Sequence, residues 1–307
     1  MLKRATQDLD LRVFSDLPVT SVQWGRGGTS VAVHCHGTLD ESTIPVVCLP
    51  GYIRNMSDFA SLAPALNRLP ETGFCFILLD LPGRGRSNRL PGATPYSSPA
   101  DARAVIEVCD ALDIPRAVIM GEGHGGQVGM LVARERPGLV GGTVLIDAGP
   151  VTDPRSLVRA RNNHRHISGL KSRTAAHTAL HKILSADYPG EPETNLDALA
   201  ARLYSTDAKG RLVPLFDPRL IAQLEQFDFD DALEPQWPLF DCLVHAPLML
   251  VRTQLSDQLR RSTFEEMVRR RPDAATLTIS GQGSPALLDG SEERDAIAAF
   301  LRDACAA

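Results

Sequence analysis

The feature that most narrows the folds open to this chain is a series of short, unbroken apolar runs separated by stretches of helical periodicity. Pro45–Pro50 (PVVCLP), Phe74–Asp80 (FCFILLD), Arg116–Gly121 (RAVIMG) and Gly142–Asp147 (GTVLID) show no alternation of apolar and polar residues. A strand with one wet face alternates, so runs of this kind suit strands buried on both faces of a parallel sheet. Between them, Ser57–Leu69 sets Phe59, Leu62, Leu66 and Leu69 near one helical face. Pro99–Leu112 sets Ala102, Ile106, Cys109 and Leu112 on one stripe, behind a Ser98 able to cap it. Gly126–Arg136 reads as a helix opening straight from the preceding run, and Pro137 closes it. Strands that alternate with helices imply a parallel sheet covered by helices on both faces.

The same rhythm continues on either side. Ser21–Gly25 and Ser30–His36 flank Arg26-Gly27-Gly28 and read as a hairpin. From about Pro150 to Val244 the chain turns polar, helical and rich in Arg and His. A strand returns at Pro247–Thr253, then a helix at Asp257–Arg271, a strand at Ala275–Ser280 and a helix at Glu292–Ala304. The expected α/β architecture is an eight-stranded, mostly parallel sheet formed by residues 1–149 and 246–307. A helical cap, 150–245, is inserted after the sixth strand. The competing Rossmann fold needs its glycine turn after the first strand of a βαβ unit. Here the glycine-rich turn follows the fifth.

Bulk properties exclude several roles. The 307 residues carry a formal net charge of −5, which gives nucleic acid or an anionic membrane no basic surface to bind. No apolar run reaches the roughly 18 residues of a membrane-spanning helix. The basic start, Met-Leu-Lys-Arg-Ala-Thr-Gln-Asp, has no apolar segment behind it, so a cytoplasmic protein is expected. The six cysteines contain no CxxC pair and read as free thiols of a reducing compartment.

Four turns carry the chemistry: Leu49-Pro50-Gly51-Tyr52, then Asp80-Leu81-Pro82-Gly83-Arg84-Gly85-Arg86-Ser87, then Gly121-Glu122-Gly123-His124-Gly125-Gly126. The last combines Asp257, after the seventh strand, with Gly281-Gln282-Gly283-Ser284-Pro285 after the eighth. In this order they resemble the α/β-hydrolase superfamily, in particular its cap-bearing bacterial members, from about Val22 to Leu301. In that family the strand-to-helix elbow reads Gly-x-Ser-x-Gly, because small residues must flank the strained nucleophile. Gly121 and Gly125 match the flanks, so the nucleophile position falls on Gly123. The resemblance puts the catalytic acid at Asp257, although some members carry it after the sixth strand, where Asp147 stands. It puts the catalytic histidine at Ser284.

Glycine has no attacking group, and a serine hydroxyl cannot serve as the base an imidazole provides near neutral pH. Shifting the elbow onto Glu122 or His124 places bulky residues at the small positions. No histidine follows His245, so no slip recovers the base. The triad depends on a nucleophile, a base and an orienting acid acting together, and the oxyanion hole alone accounts for only about a thousandfold over water. The expectation is therefore a pseudoenzyme with a degenerate triad. It would use Gly51, Tyr52, Glu122 and His124 to bind a small, largely apolar molecule between core and cap, without cofactor or metal. The alternative is an enzyme of altered chemistry, a lyase, isomerase or atypical hydrolase of esters or lactones, working through His124 or Glu122. A homodimer, or pairing with an active relative, stays open. His34 and His36, and His177 and His181, lack the further ligands of a metal site and read as solvated faces. Arg159, Arg161, Arg165 and Lys171 read as a basic surface at the start of the cap.

Overall fold

The computed structural model describes residues 9–25, 28–40, 44–69 and 73–306. Eight strands form one sheet: β1 (Thr20–Trp24), β2 (Thr29–His36), β3 (Val46–Leu49), β4 (Phe76–Asp80), β5 (Ala117–Glu122), β6 (Val140–Ile146), β9 (Leu248–Thr253) and β10 (Ala275–Ile279). Their order is β1-β2-β4-β3-β5-β6-β9-β10. Pairing is antiparallel at β1–β2 and β2–β4 and parallel from β4 to β10. The expected eight-stranded, mostly parallel architecture is thus what the chain adopts. The tip of the β1–β2 hairpin at Arg26 and Gly27 lies outside the described residues.

The apolar runs work as their lack of alternation implies. Val47, Leu49, Ile119, Leu145 and Leu250 point to one face, where they pack on α2 (Ser98–Ala111) and α3 (His124–Glu135). Val46, Cys48, Met120, Val144 and Met249 point to the other, toward α1 (Leu62–Leu66) and α10 (Ser291–Ala306). Each fully buried aliphatic side chain contributes about 1.5–3 kcal/mol, so two dry faces fix both register and the height of the strand ends.

The helix expected over Ser57–Leu69 is instead a 3-10 turn, Met56–Phe59, followed by the short α1. Asn67 ends it, because its side-chain amide pairs with the N–H and C=O of Phe74 at 3.1 and 2.9 Å. The cap of α2 is Ser97 rather than Ser98; its hydroxyl accepts the Ala100 N–H. Between β6 and β9 lie α4 (Pro154–Gly169), α5 (Arg173–Asp187), α6 (Glu193–Leu203), α7 (Arg219–Ala222) and α8 (Trp237–Asp241). A two-stranded hairpin, β7 (Tyr204–Thr206) with β8 (Leu212–Pro214), interrupts them and has no counterpart in the sequence reading. The last helix before β10 is α9 (Arg261–Arg270), four residues later than expected. The delay leaves residues 257–260 in the connection that follows β9.

Candidate functional site

The parallel strands end together beneath the cap, and each turn of the sequence reading lies at one of those ends. Gly123 has φ +48° and ψ −111°, a backbone state that L side chains rarely adopt, and α3 starts on the next residue. The turn is tight on both sides. A Cβ at Gly121 would come within 2.5 Å of the Gly125 carbonyl and the Gly126 nitrogen. A Cβ at Gly125 would collide with the Leu49 carbonyl oxygen. The strained strand-to-helix turn is therefore packed closely on both sides of Gly123, which carries no side chain.

The space over Gly123 belongs to Gln258. A Cβ at position 123 would run into its Oε1, the far end of a flexible side chain. Gln258 comes from the residues freed by the late start of α9. The backbone N–H groups of Tyr52 and His124, at a strand end and at a helix N-terminus, are claimed by no ladder of helix or sheet.

Ser284 does not face Asp257. Its hydroxyl donates to Asp147 Oδ2 at 2.6 Å and meets Ser256 Oγ at 3.0 Å. Asp147 is buried, has φ +46°, and also accepts from Thr253 N–H at 2.8 Å and Thr253 Oγ1 at 2.5 Å. Burial pushes its carboxyl pKa up, against the pull of these donors. The acid that meets Ser284 is thus the one after the sixth strand. Asp257 instead takes two hydrogen bonds from Arg159, whose Nη1 also reaches Asp187 at 2.8 Å. The reason is positional: Asp257 lies on the rim, opposite α4, while Asp147 lies at the strand end beneath Ser284. Asp257 does not cap α9 either, since that helix begins at Arg261.

Between sheet and cap lies a cavity of about 150 Å³. Gly51, Tyr52, Glu122, Gln258 and Ser284 line it from the core, and Leu157, Ile167, Leu180 and Leu184 from α4 and α5. Arg159, Asp187 and Asp257 line it as well, partly exposed. Glu122 is buried, and the lost solvation of its charge, reinforced by Asp58, lifts its pKa well above the usual carboxylate range despite nearby Arg54. Arg54 is held by Asp58, with Nε to Oδ2 at 2.8 Å. A neutral carboxyl at the floor of an apolar cavity can donate one hydrogen bond to a carbonyl.

His124 is not in that cavity. Its ring packs edge-on against Tyr52, with centroids 5.3 Å apart, and Nε2 meets Asp101 Oδ2 at 2.8 Å. Burial lowers its pKa although Asp101 opposes the shift. Among residues not expected at the site, Gln258, Arg54 and Asp147 are the ones that shape it. Asp147 had a sequence signal, its place at a strand end. The other two had none.

Other expectations need correction. His34 is buried, with Nδ1 2.7 Å from the Pro18 carbonyl oxygen. His181 pairs with Asp197 at 2.7 Å. Arg161 is buried and donates to the carbonyls of Leu224 and Phe227 at 3.0 and 2.7 Å, so the start of the cap is not simply a basic surface. Among the described residues no group of three His, Cys, Asp or Glu is placed to hold a metal ion.

The family profile of the alpha/beta hydrolase fold matches residues 44–199. The chain belongs to this family. A serine hydrolase-like protein of Danio rerio is 33% identical over 129 residues, 41% of this chain and 36% of that protein. A 2-hydroxy-6-oxononadienedioate/2-hydroxy-6-oxononatrienedioate hydrolase of Cupriavidus pinatubonensis is 31% identical over 123 residues, 40% of this chain and 42% of that protein. The matched segment therefore spans less than half the length of either relative. Among solved structures, an alpha/beta hydrolase from Novosphingobium aromaticivorans superposes with a TM-score of 0.80 at 27% identity, covering 93% of this chain and 98% of that one. E-2-(acetamidomethylene)succinate hydrolase shares the fold, with a TM-score of 0.69 at 21% identity. Among the described residues, no helix is long and apolar enough to cross a membrane.

Proposed function

We propose that this α/β-hydrolase-fold protein is a non-hydrolytic binder of a small, largely apolar molecule, held in the cavity between sheet and cap. The observation that carries the reading is at Gly123: the elbow is intact, no nucleophile stands on it, and the Gln258 amide fills the nucleophile's space. The base is missing as well, since Ser284 lies on Asp147, where it can hold that carboxylate but cannot take a proton from an attacking group. The Tyr52 N–H, which no helix or sheet ladder claims, then serves to orient a ligand oxygen rather than an intermediate. The apolar wall from α4 and α5 supplies affinity, and the few polar groups on the floor supply orientation.

A second reading is favoured by the buried carboxyl of Glu122 in the cavity floor, whose pKa burial raises well above the usual carboxylate range. A neutral carboxylic acid there could act as a general acid in a lyase or isomerase step. His124 fits that role less well, because it lies outside the cavity and Asp101 engages its Nε2.

The test is ligand capture. Native mass spectrometry of freshly purified protein, followed by a thermal-shift screen of apolar esters, lactones and ketones, should find ligands whose binding is lost in Leu180→Trp, which fills the cavity. Ligands that bind Leu180→Trp unchanged, or none at all, would refute the reading. Turnover of any of them that disappears in Glu122→Gln would favour the second.

A further inference from the structure

Two cysteines meet at the end of the sheet opposite the cap. Cys35 lies near the end of β2, and Cys75 is the residue before β4. Register explains how they come together. β2 runs antiparallel to β4, with Cys35 opposite Ile77 and His36 opposite Phe76. One step further, Gly37 lies against Cys75, and a Cβ built at Gly37 would sit 3.3 Å from the Cys75 Cα. Cys35 and Cys75 are thus diagonal neighbours on one face of the strand pair, and their side chains can reach each other. Their sulfurs are 3.6 Å apart. Neither cysteine lines the cavity between sheet and cap, so the pair does not depend on the function proposed for that cavity.

The two thiols differ in what they meet. Cys35 is exposed and Cys75 is buried. Cys35 opens onto a surface groove with apolar walls from Val19, Leu39, Ile77 and Leu112. Burial, reinforced by Cys35 itself, pushes the Cys75 thiol well up, so Cys75 stays protonated near neutral pH. A dissolved reagent therefore meets Cys35 first. The other four cysteines have no such neighbour. Cys48 and Cys109 are buried, Cys242 donates to the Pro238 carbonyl at 3.2 Å, and Cys305 donates to the Ile44 carbonyl at 3.4 Å. Among the described residues, Cys35 and Cys75 form the one pair of sulfurs in contact.

We infer that Cys35 and Cys75 form an oxidation site, a dithiol that a hydroperoxide converts to a disulfide in the folded chain. Cys35, as its thiolate, attacks one peroxide oxygen. The O–O bond breaks, Cys35 becomes a sulfenic acid, and the departing hydroxide leaves as water with the proton that Cys35 gave up. The Cys75 sulfur then attacks the Cys35 sulfur. The S–S bond forms, the S–O bond breaks, and the second hydroxide leaves as water with the Cys75 proton. Two thiols lose two electrons and one peroxide gains them. The sulfurs must close by about 1.5 Å to bond, and the exposed Cys35 is the one with room to move. A resolving thiol already in contact gives the sulfenic acid a partner before a second peroxide arrives. The bond would tie the end of β2 to the start of β4 and enclose β3 and the Gly51–Tyr52 turn in one covalent loop.

The probe is hydrogen peroxide in slight molar excess over the reduced, folded protein, read by intact-protein mass spectrometry and peptide mapping. The chain should lose about 2 Da, the mass of the two thiol hydrogens, and the map should show one linkage, Cys35 to Cys75. The same treatment in urea should give mixed linkages among the six cysteines, because the fold makes the pairing. Cys35→Ser should abolish the mass loss and leave Cys75 unmodified. Cys75→Ala should stop the reaction at a Cys35 sulfenic acid that dimedone captures. Because Cys75→Ala alters the core and can fail to fold, the wild-type map and the exposed-site variant Cys35→Ser decide alone. The inference is overturned if the folded chain keeps its mass, if Cys35 gains two or three oxygens while Cys75 stays reduced, or if the linkage joins other cysteines or two chains. It is equally overturned if urea leaves the linkage pattern unchanged, or if Cys35→Ser still loses the two hydrogens.

Discussion

The three elbow glycines should not be equivalent, and their ranking tests whether the turn is still packed as a nucleophile elbow. An alanine at 121 or 125 puts its methyl into backbone, the Gly125–Gly126 peptide in one case and the Leu49 carbonyl in the other. Backbone cannot rotate out of the way, so each should cost about 3 kcal/mol or more, the upper range for overpacking. An alanine at 123 meets only the end of the Gln258 side chain, which can turn into the cavity, and it adds the cost of a non-glycine residue at φ +48°, about 1–2 kcal/mol. At about 2 cal/mol/K per residue, the unfolding entropy of the 307-residue chain is about 0.6 kcal/mol/K. Calorimetry should then show Tm falling by about 5 °C or more for Gly121→Ala and Gly125→Ala and by about 2–3 °C for Gly123→Ala. Gln258→Ala should relieve part of the loss in Gly123→Ala and none in the other two. If Gly123→Ala destabilises as much as Gly125→Ala, or if all three are neutral, the elbow is not packed as described.

Three further outcomes follow from the same geometry. Burial lifts the Asp80 carboxyl to a pKa of about 6, although Arg86 and Met56 N–H groups donate to it at 2.8 and 2.7 Å. A raised folded-state pKa gives stability that is complete below about pH 4 and is lost as pH rises through 6, so Asp80→Asn should flatten the stability profile over that window; an unchanged profile would refute the assignment. Arg159→Met leaves Asp187 and Asp257 without their shared cation; because the cluster is partly exposed the cost should be about 1 kcal/mol, read by urea unfolding, and a loss above about 3 kcal/mol would mean the cluster is far better shielded from water. The triple variant Gly123→Ser, Ser284→His, Gln258→Ala rebuilds nucleophile and base beside Asp147 and should acquire measurable esterase activity, whereas adding Asp147→Asn should abolish it and adding Asp257→Asn should not.

Most of the fold was legible in the sequence, because strands buried on both faces leave short continuous apolar runs bounded by Gly and Pro turns. Boundaries were less legible where tertiary contacts override local pattern. The side-chain pairing of Asn67 with Phe74 ends α1 early, and residues 257–260 stay in the connection from β9 instead of joining α9. The β7–β8 hairpin has strands of three residues, too short to carry a period. At the site, the tight turn at Gly123 and the loop carrying Ser284 could be read from their flanking glycines alone. The partner of Ser284 could not, because Asp147 and Asp257 both follow strands, and only three-dimensional placement sets one beneath Ser284 and the other against Arg159. Gln258 carried no signal either; its importance arises from a loop whose path the helical pattern concealed. Arg84 looked like part of a glycine-rich turn, and nothing in that turn told that its side chain lies buried beside His124.

The proposed function rests on an elbow that carries no nucleophile. Its most direct test is the wild-type protein with a fluorophosphonate probe and p-nitrophenyl butyrate, each read by intact-protein mass spectrometry and absorbance at high enzyme concentration. The expected result is no covalent adduct and no hydrolysis above a heat-denatured control, with both appearing in the Gly123→Ser, Ser284→His, Gln258→Ala variant. A stoichiometric adduct on the wild-type chain, or turnover that Glu122→Gln abolishes, would contradict it.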